Sequence, residues 1–351
     1  MQLIPNLTIV KALLKIRRER VLAQPGEVVA RPGQQVTPVQ VVARALQQKQ
    51  VTVIPAAELL GVPAGQLSKY LLVEEGAAIQ KGTPLVRKTG LLGNRRRINA
   101  PIDGVLYQVN NGRLILQQTP DLVEIRAMMH GFVTGLVSNR GVMIETFGSL
   151  IQAVWGSGRE GYGKIKVVAE TAETPLRSEH IKADARGAIL VGGHLNRTDV
   201  LDKAGDSSVR GFVVGSVPES MLSVLEEFPL PIIVTDGFGN LPMSEPIFRL
   251  LQQSEGREAS LFGKMADSRP EIIVPLPVNE ETDKTPPVRT LAVGQTVRIL
   301  RAPYTGRVGQ VVNVHTQSYL TNIGLRTAGA DVSLPDGQVV FVPYMNLDLL
   351  G

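Results

Sequence analysis

The sequence predicts a multidomain chain of mixed α+β and α/β architecture, in which β modules flank a parallel-sheet α/β body. Three observations carry that expectation. Residues 20–118 hold a strand-turn-strand pattern occurring in two halves, residues 186–277 alternate strand-like with helix-like runs, and residues 293–350 alternate short β runs with turns. At 351 residues the chain is long enough for roughly two to four domains, each with its own core.

Composition narrows the class. With 43% hydrophobic, 20% charged and 4% aromatic residues, the chain is ordinary globular material. No apolar run is long enough to span a bilayer, and the first residues, "MQLIPNLTIVKALLKIRRERVL", lack the pattern of a secretory signal. A cytoplasmic protein without a membrane partner is expected by elimination. The absence of cysteine removes thiol nucleophiles, disulfides and cysteine metal sites together. The net charge of +5 conceals an uneven distribution. Residues 1–113 carry sixteen Lys+Arg against six Asp+Glu, a charge of +10; residues 114–285 carry −7 and residues 286–351 carry +2. A basic head beside an acidic middle fits a phosphate-seeking face, or modules that attract one another.

In the first module, residues 1–125, "PGEVVARPGQQVTPVQVVARA" (25–45) and "LLVEEGAAIQKGTPLVRKTG" (71–90) each place a β run before a turn at Gly33 or Gly82 and another after it. Between them, residues 51–72 have apolar spacing for one or two short helices, with Pro55 near the start and Gly61 as a stop. The segments "VEEGAAIQKGTPLV" and "INAPIDGVL" resemble the biotinyl/lipoyl-type barrel-sandwich hybrid, over about a third of the chain. In carrier members of that family, a lysine at a tight hairpin tip bears the prosthetic group. Here the corresponding stretch is "RKTGLLGNRRRINAP", with Lys88 before the glycines and Arg95, Arg96 and Arg97 after them. The loop is too long and the flanking acid and methionine pattern is missing, so a docking module is expected rather than a carrier, and no cofactor.

Residues 126–175 read as a glycine-rich β segment, densest at "VWGSGREGYG" (154–163), where Arg159 among glycines invites a phosphate-cradle reading. Glycine turns between strands are the commoner use of such a stretch, and Trp155 is most simply a core residue. In the α/β domain, residues 176–277, "GAILVGG", "GFVVGS", "PIIVTDG" and "EASLFG" read as buried strands. "PESMLSVLEEF" (218–228) and "SEPIFRLLQQSEG" (244–256) read as helices, opened by Pro or Ser with an acid in the first turn. Such alternation implies βαβ units and a largely parallel sheet. The charged, proline-bearing stretch 278–288 reads as a linker.

Ligands of open α/β sheets gather at the carboxyl ends of the strands. That rule selects Gly192, Gly193, His194, Gly215, Asp236 and Gly237 as candidates for a small anion, with glycine amides as donors. No Walker loop or dinucleotide fingerprint is present, and Asp followed by Gly is foremost a turn. The four histidines share no metal-ligand spacing, so no metal is expected.

The C-terminal module, residues 289–351, contains "VGQTVRILRAPYTGRVGQVVNV" and "GADVSLPDGQVVFVPYMNLDLL". It resembles a KOW domain, a small SH3-like β-barrel, through Gly294, through Tyr304, Gly306, Gly309 and Val311, and through the closing "VPYMNLDLL"; it departs at Ala302, where many members have glycine. Many KOW domains touch RNA or a polymerase by this loop. The resemblance therefore implies Arg298, Arg301, Tyr304 and Arg307 as contacts to a phosphate backbone. The order of the modules, with "FVVGS", "PIIVTDGFGNLPMSE" and "RPEIIVP", also resembles an uncharacterised bacterial family.

No nucleophile, metal cluster or cofactor fingerprint stands out, so the expected function is non-catalytic. The chain is read as a binding or assembly protein that docks on RNA, DNA or a ribonucleoprotein through its basic first module and its KOW-like barrel. Two alternatives stay open. One is a protein-only scaffold, self-associating as the basic head of one copy meets the acidic middle of the next; the other is an enzyme holding a small anion at the strand ends.

Overall fold

The computed structural model describes residues 6–47, 51–89, 95–264, 269–277, 290–321, 324 and 326–351. The expected linker at 278–288 lies outside them. The chain divides into two compact units. One comprises the chain up to Val21, Ala30–Val42 and Arg126–Gly351; the other comprises Leu22–Val29 and Ala43–Ile125. The architecture is mixed α+β with several sheets, and among the described residues no sheet closes into a barrel by hydrogen bonding.

The larger unit is organised on an eleven-stranded sheet. Four neighbouring strands in it run parallel: Glu160–Val167, Ala188–His194, Gly211–Val217 and Ile232–Phe238. Their side chains alternate between two apolar faces. Ile189, Val191, Val213 and Ile233 enter one core with Ile247, Phe248 and Leu251 of helix Glu245–Gln253. Leu190, Phe212, Val214, Ile232 and Val234 enter another with Val200 and Leu201 of helix Asp199–Gly205 and Leu225 of helix Leu222–Glu227. Helices on both faces leave no wet side, which is why these strands read as unbroken apolar runs rather than alternating ones. Each fully buried Leu, Ile or Phe contributes about 1.5–3 kcal/mol of transfer free energy.

The parallel character stops at Glu160–Val167. Glu258–Phe262 pairs with it antiparallel, and Glu271–Pro275 pairs antiparallel with Glu258–Phe262. Gly141–Gln152 then carries Val10–Val21 along one edge, while Gly131–Val137 and Glu271–Pro275 share the other. Two expected boundaries therefore shift. The glycine-rich segment is no separate module, since its strands belong to the same sheet as the α/β strands. Val10–Val21, expected in the first module, belongs here, because ten paired positions and its ion pairs to Glu145, Glu160 and Glu271 fix it in the sheet.

The C-terminal segment forms a separate six-stranded sheet in this unit. Its order is Asn6–Thr8, Leu347–Leu350, Thr296–Ile299, Val308–Leu320, Arg326–Ser333 and Val339–Pro343. The first two run parallel, so the chain's beginning and end meet in one sheet. Val297, Ile299, Val332, Val342, Leu347 and Leu349 form its core. Gly306 has φ of +81°, as the turn reading requires, whereas Gly309 answers to space: a Cβ there would lie 2.5 Å from the Ser333 carbonyl oxygen.

The smaller unit has a four-stranded sheet ordered Val51–Ile54, Arg113–Gln118, Gly104–Asn110 and Ala78–Ile79. It also has a two-stranded ribbon of Pro84–Thr89 with Arg95–Asn99, and Glu27–Val28 paired with Val41–Leu46. Leu60, Leu67, Leu85, Leu106 and Leu114 build its core. The expected helical insertion begins instead with the strand Val51–Ile54; helix Ala56–Leu60 and the 3-10 turn Ala64–Tyr70 follow. Gly61 ends the helix in the left-handed conformation, with φ of +63°.

Candidate functional site

The ribbon of the smaller unit concentrates cations. Register places Arg87 opposite Arg97, Lys88 opposite Arg96, and Thr89 opposite Arg95. Directly opposed residues of an antiparallel pair share a face, and alternate residues of a strand share a face. Arg87, Arg95 and Arg97 therefore stand together on one face, and all three are exposed. Lys88 and Arg96 share the other. There the Lys88 ammonium donates to the carbonyl oxygens of Leu60 at 3.2 Å and Gly61 at 3.0 Å, at the end of the short helix. This engagement is structural, a cation on the last carbonyls.

Like charges facing each other across a ribbon destabilise it. Nothing in the sequence 87–97 offsets them, since it contains five cations and no carboxylate. Half of the ten Lys and Arg residues in Leu22–Val29 and Ala43–Ile125 fall in those eleven positions. Among the described residues, none of Arg87, Arg95, Arg96 and Arg97 forms an ion pair, whereas Arg44 of the same unit pairs with Glu27 at 2.8 Å. Arg87 escaped the sequence reading because its membership depends on the register in which Pro84–Thr89 pairs with Arg95–Asn99.

The C-terminal residues expected to touch phosphate fare differently. Arg298 is a correction: only 1% of its side chain is exposed, and it lies between Asp236 and Asp348, each 2.5 Å away. It also donates to the Thr235 carbonyl oxygen at 3.0 Å. Burial would push its guanidinium pKa down, and the two carboxylates overcome that and raise it. Asp348 further accepts from the Thr8 hydroxyl, and Asp236 from the Ser244 backbone N–H at 3.1 Å and the Thr235 hydroxyl at 2.6 Å. This network joins the C-terminal sheet to the parallel strands, so Arg298 meets no outside phosphate. Arg307 pairs with Asp336 at 2.6 Å, and Tyr304 packs on the local core while its hydroxyl accepts from the Gln338 amide at 3.2 Å. Arg301 alone of the four is exposed and in no ion pair among the described residues.

The expected anion site at the strand carboxyl ends is filled with protein. A Cβ on Gly193 would lie 2.2 Å from the Ala172 carbonyl oxygen, one on Gly192 2.9 Å from Leu176, and one on Gly215 2.6 Å from the backbone of Met243. These glycines make room for the chain segments that cross over them. The Gly193 N–H donates to the Thr174 carbonyl oxygen. Asp236 is consumed by Arg298. Gly237 lies within the strand opposite Ser216, beside a register shift, with φ of +147°. His194 is half-buried, with a buried Nδ1 that has no hydrogen-bond partner among the described residues; burial lowers its pKa, partly offset by the Glu173 backbone.

Arg159, the cation of the glycine-dense loop, is likewise spent inside the fold. It donates to the carbonyl oxygens of Glu226 at 2.6 Å and Glu227 at 3.2 Å, at the end of helix Leu222–Glu227. Among the described residues no cluster of three or more His, Asp or Glu is arranged to hold a metal ion. No helix there is long and apolar enough to cross a membrane.

No protein-family model matches the chain, and no curated protein matches it. Solved structures similar to part of it include an S-adenosylmethionine:2-dimethylmenaquinone methyltransferase from Geobacillus kaustophilus HTA426. That match has 14% identity and a TM-score of 0.25, over 36% of this chain and 87% of the other. The RNA-processing inhibitor RraA from Thermus thermophilis matches at 16% identity and a TM-score of 0.23, over 36% of this chain and 83% of the other.

Proposed function

We propose that this chain is a non-catalytic cytoplasmic docking protein that grips the phosphate backbone of a nucleic acid through the Arg87–Arg97 ribbon. The observation that supports this reading is the opposition of uncompensated cations across the ribbon, with Arg87, Arg95 and Arg97 exposed on one face. An arrangement that costs stability in the free protein is relieved when a polyanion supplies the missing charge. Arg301 in the C-terminal module adds a secondary contact. We propose as well a barrel-sandwich hybrid for the smaller unit and an SH3-like, KOW-type module for the C-terminal sheet.

Part of the charge that the scaffold reading would use is already paired within one chain. Lys15 and Arg17 pair with Glu145 at 3.1 and 2.5 Å, Arg18 with Glu271 at 2.5 Å, and Arg20 with Glu160 at 2.7 Å. Four of the sixteen Lys and Arg residues of the basic head are thus matched to the acidic middle intramolecularly.

The test is binding of labelled RNA and duplex DNA as a function of salt, run beside light scattering. Replacing Arg87, Arg95 and Arg97 by alanine is expected to weaken binding and to reduce the slope of log K against log salt by up to about 0.9 per lost phosphate contact on duplex DNA. Arg96→Ala, on the other face, is expected to change it least. Absence of binding at low salt, with assembly of the concentrated protein, would establish the scaffold instead.

A further inference from the structure

The parallel strands are closed at their carboxyl ends and open at their amino ends. Lys164, Gly187, Arg210 and Pro231 stand where the parallel pairing of the four strands begins, and they border a cleft of about 750 Å³. That volume lies within the range of small-molecule sites, roughly 300–1,000 Å³. It is far more than an inorganic anion needs.

The cleft has two chemically distinct sides. Arg126, Lys164, Arg186 and Arg210 supply four exposed cations. The two carboxylates in its wall are already committed. Glu160 is held by both terminal nitrogens of Arg20 at 2.7 Å. Glu258 accepts from the Tyr162 hydroxyl and lies 2.8 Å from Nε2 of His130. Among the described residues, Arg126, Arg186 and Arg210 enter no ion pair, and Lys164 influences Glu258 only at longer range. The support beneath them is fixed: a Cβ on Gly163 would lie 3.0 Å from Cβ of Arg210, and one on Gly161 2.4 Å from the Pro231 ring. The other side is apolar, formed by Pro229, Leu230 and Pro231 near the half-buried Tyr162 ring.

We infer that this cleft binds a nucleoside phosphate, with the phosphates among Arg126, Lys164, Arg186 and Arg210 and the base and sugar along Tyr162 and Pro229–Pro231. Guanidinium groups bind phosphate oxygens in pairs, and an apolar wall with one aromatic ring suits a flat, weakly polar body. The site shares no residue with the cationic ribbon and does not depend on it.

Calorimetric titration of the full chain with ATP and with inorganic pyrophosphate tests this. ATP is expected to bind saturably at one site, and pyrophosphate, which lacks base and sugar, at least tenfold more weakly. Arg186→Ala with Arg210→Ala is expected to weaken ATP at least tenfold, whereas Arg95→Ala with Arg97→Ala changes it less than twofold. Should the first pair of changes lower the melting temperature of the free protein, Arg126→Gln with Lys164→Gln reads the same site. No saturable binding of ATP at millimolar concentration overturns the inference, as does pyrophosphate binding equal to ATP, or loss of ATP binding in the ribbon variant alone.

Discussion

Arg298 and Asp236, sixty-two residues apart in sequence, meet at 2.5 Å in a place where each side chain is only 1% exposed. Removing one member of a buried pair strands the other in a medium that cannot solvate it, at a cost of about 3–5 kcal/mol. Here two carboxylates depend on one guanidinium. Arg298→Ala is therefore expected to lower the free energy of unfolding by an amount in that range or above, measured by chemical unfolding. Its nucleic-acid salt slope should stay unchanged, which separates a structural arginine from a phosphate contact.

Arg97→Glu turns the Arg87–Arg97 opposition into an opposite-charge pair. Cross-strand pairs of this kind are worth about 0.2–1 kcal/mol. The variant should be slightly more stable than the parent in urea, yet bind RNA and duplex DNA more weakly. A change that strengthens the fold and weakens the grip is the signature of charge kept for a partner. Equal or tighter nucleic-acid binding by the variant would remove the ribbon from the interface.

His194 supplies a pH dependence with a definite sign. Its pKa in the folded protein is lowered from the ordinary 6.5 because burial penalises the imidazolium. The unfolded chain therefore takes up a proton that the folded chain resists. The resulting loss is absent well above pH 6.5 and grows as pH falls from there toward the folded pKa. His194→Asn should flatten the stability profile in that window, read from urea midpoints at pH 7.5 and pH 5.5. An unchanged slope would mean that the ring protonates freely in place.

Gly193→Ala tests the closure of the strand carboxyl ends. Its new methyl carbon would sit 2.2 Å from the Ala172 carbonyl oxygen, closer than any relaxed contact. Overpacking of this kind costs about 1–3 kcal/mol or more. The melting temperature should fall without any change in ATP binding, because the proposed nucleotide cleft lies at the opposite ends of the strands.

The sequence by itself determined the local elements of the α/β body. The apolar runs at 188–194, 211–217 and 232–238 are strands, and the helix after Ser244 carries Glu245 in its first turn. These signals are local: a run covered on both faces must be apolar throughout, and helix starts favour particular residues within one turn. It also marked the cationic stretch Arg95–Arg97, because charge density is a property of composition. Only the tertiary structure decided what each charge does. Arg298 and Arg307 look alike in sequence to Arg301, but Asp236, Asp348 and Asp336 claim the first two from distant positions. Gly192, Gly193 and Gly215 look like a ligand loop, yet residues 172–176 and Met243 occupy the space that they leave. Arg126, Lys164, Arg186 and Arg210 are unremarkable singly and share a cleft because four separate segments meet where the parallel pairing begins. Partnership between residues tens of positions apart is set by strand order and register, and those depend on long-range pairing and core packing that no local pattern encodes.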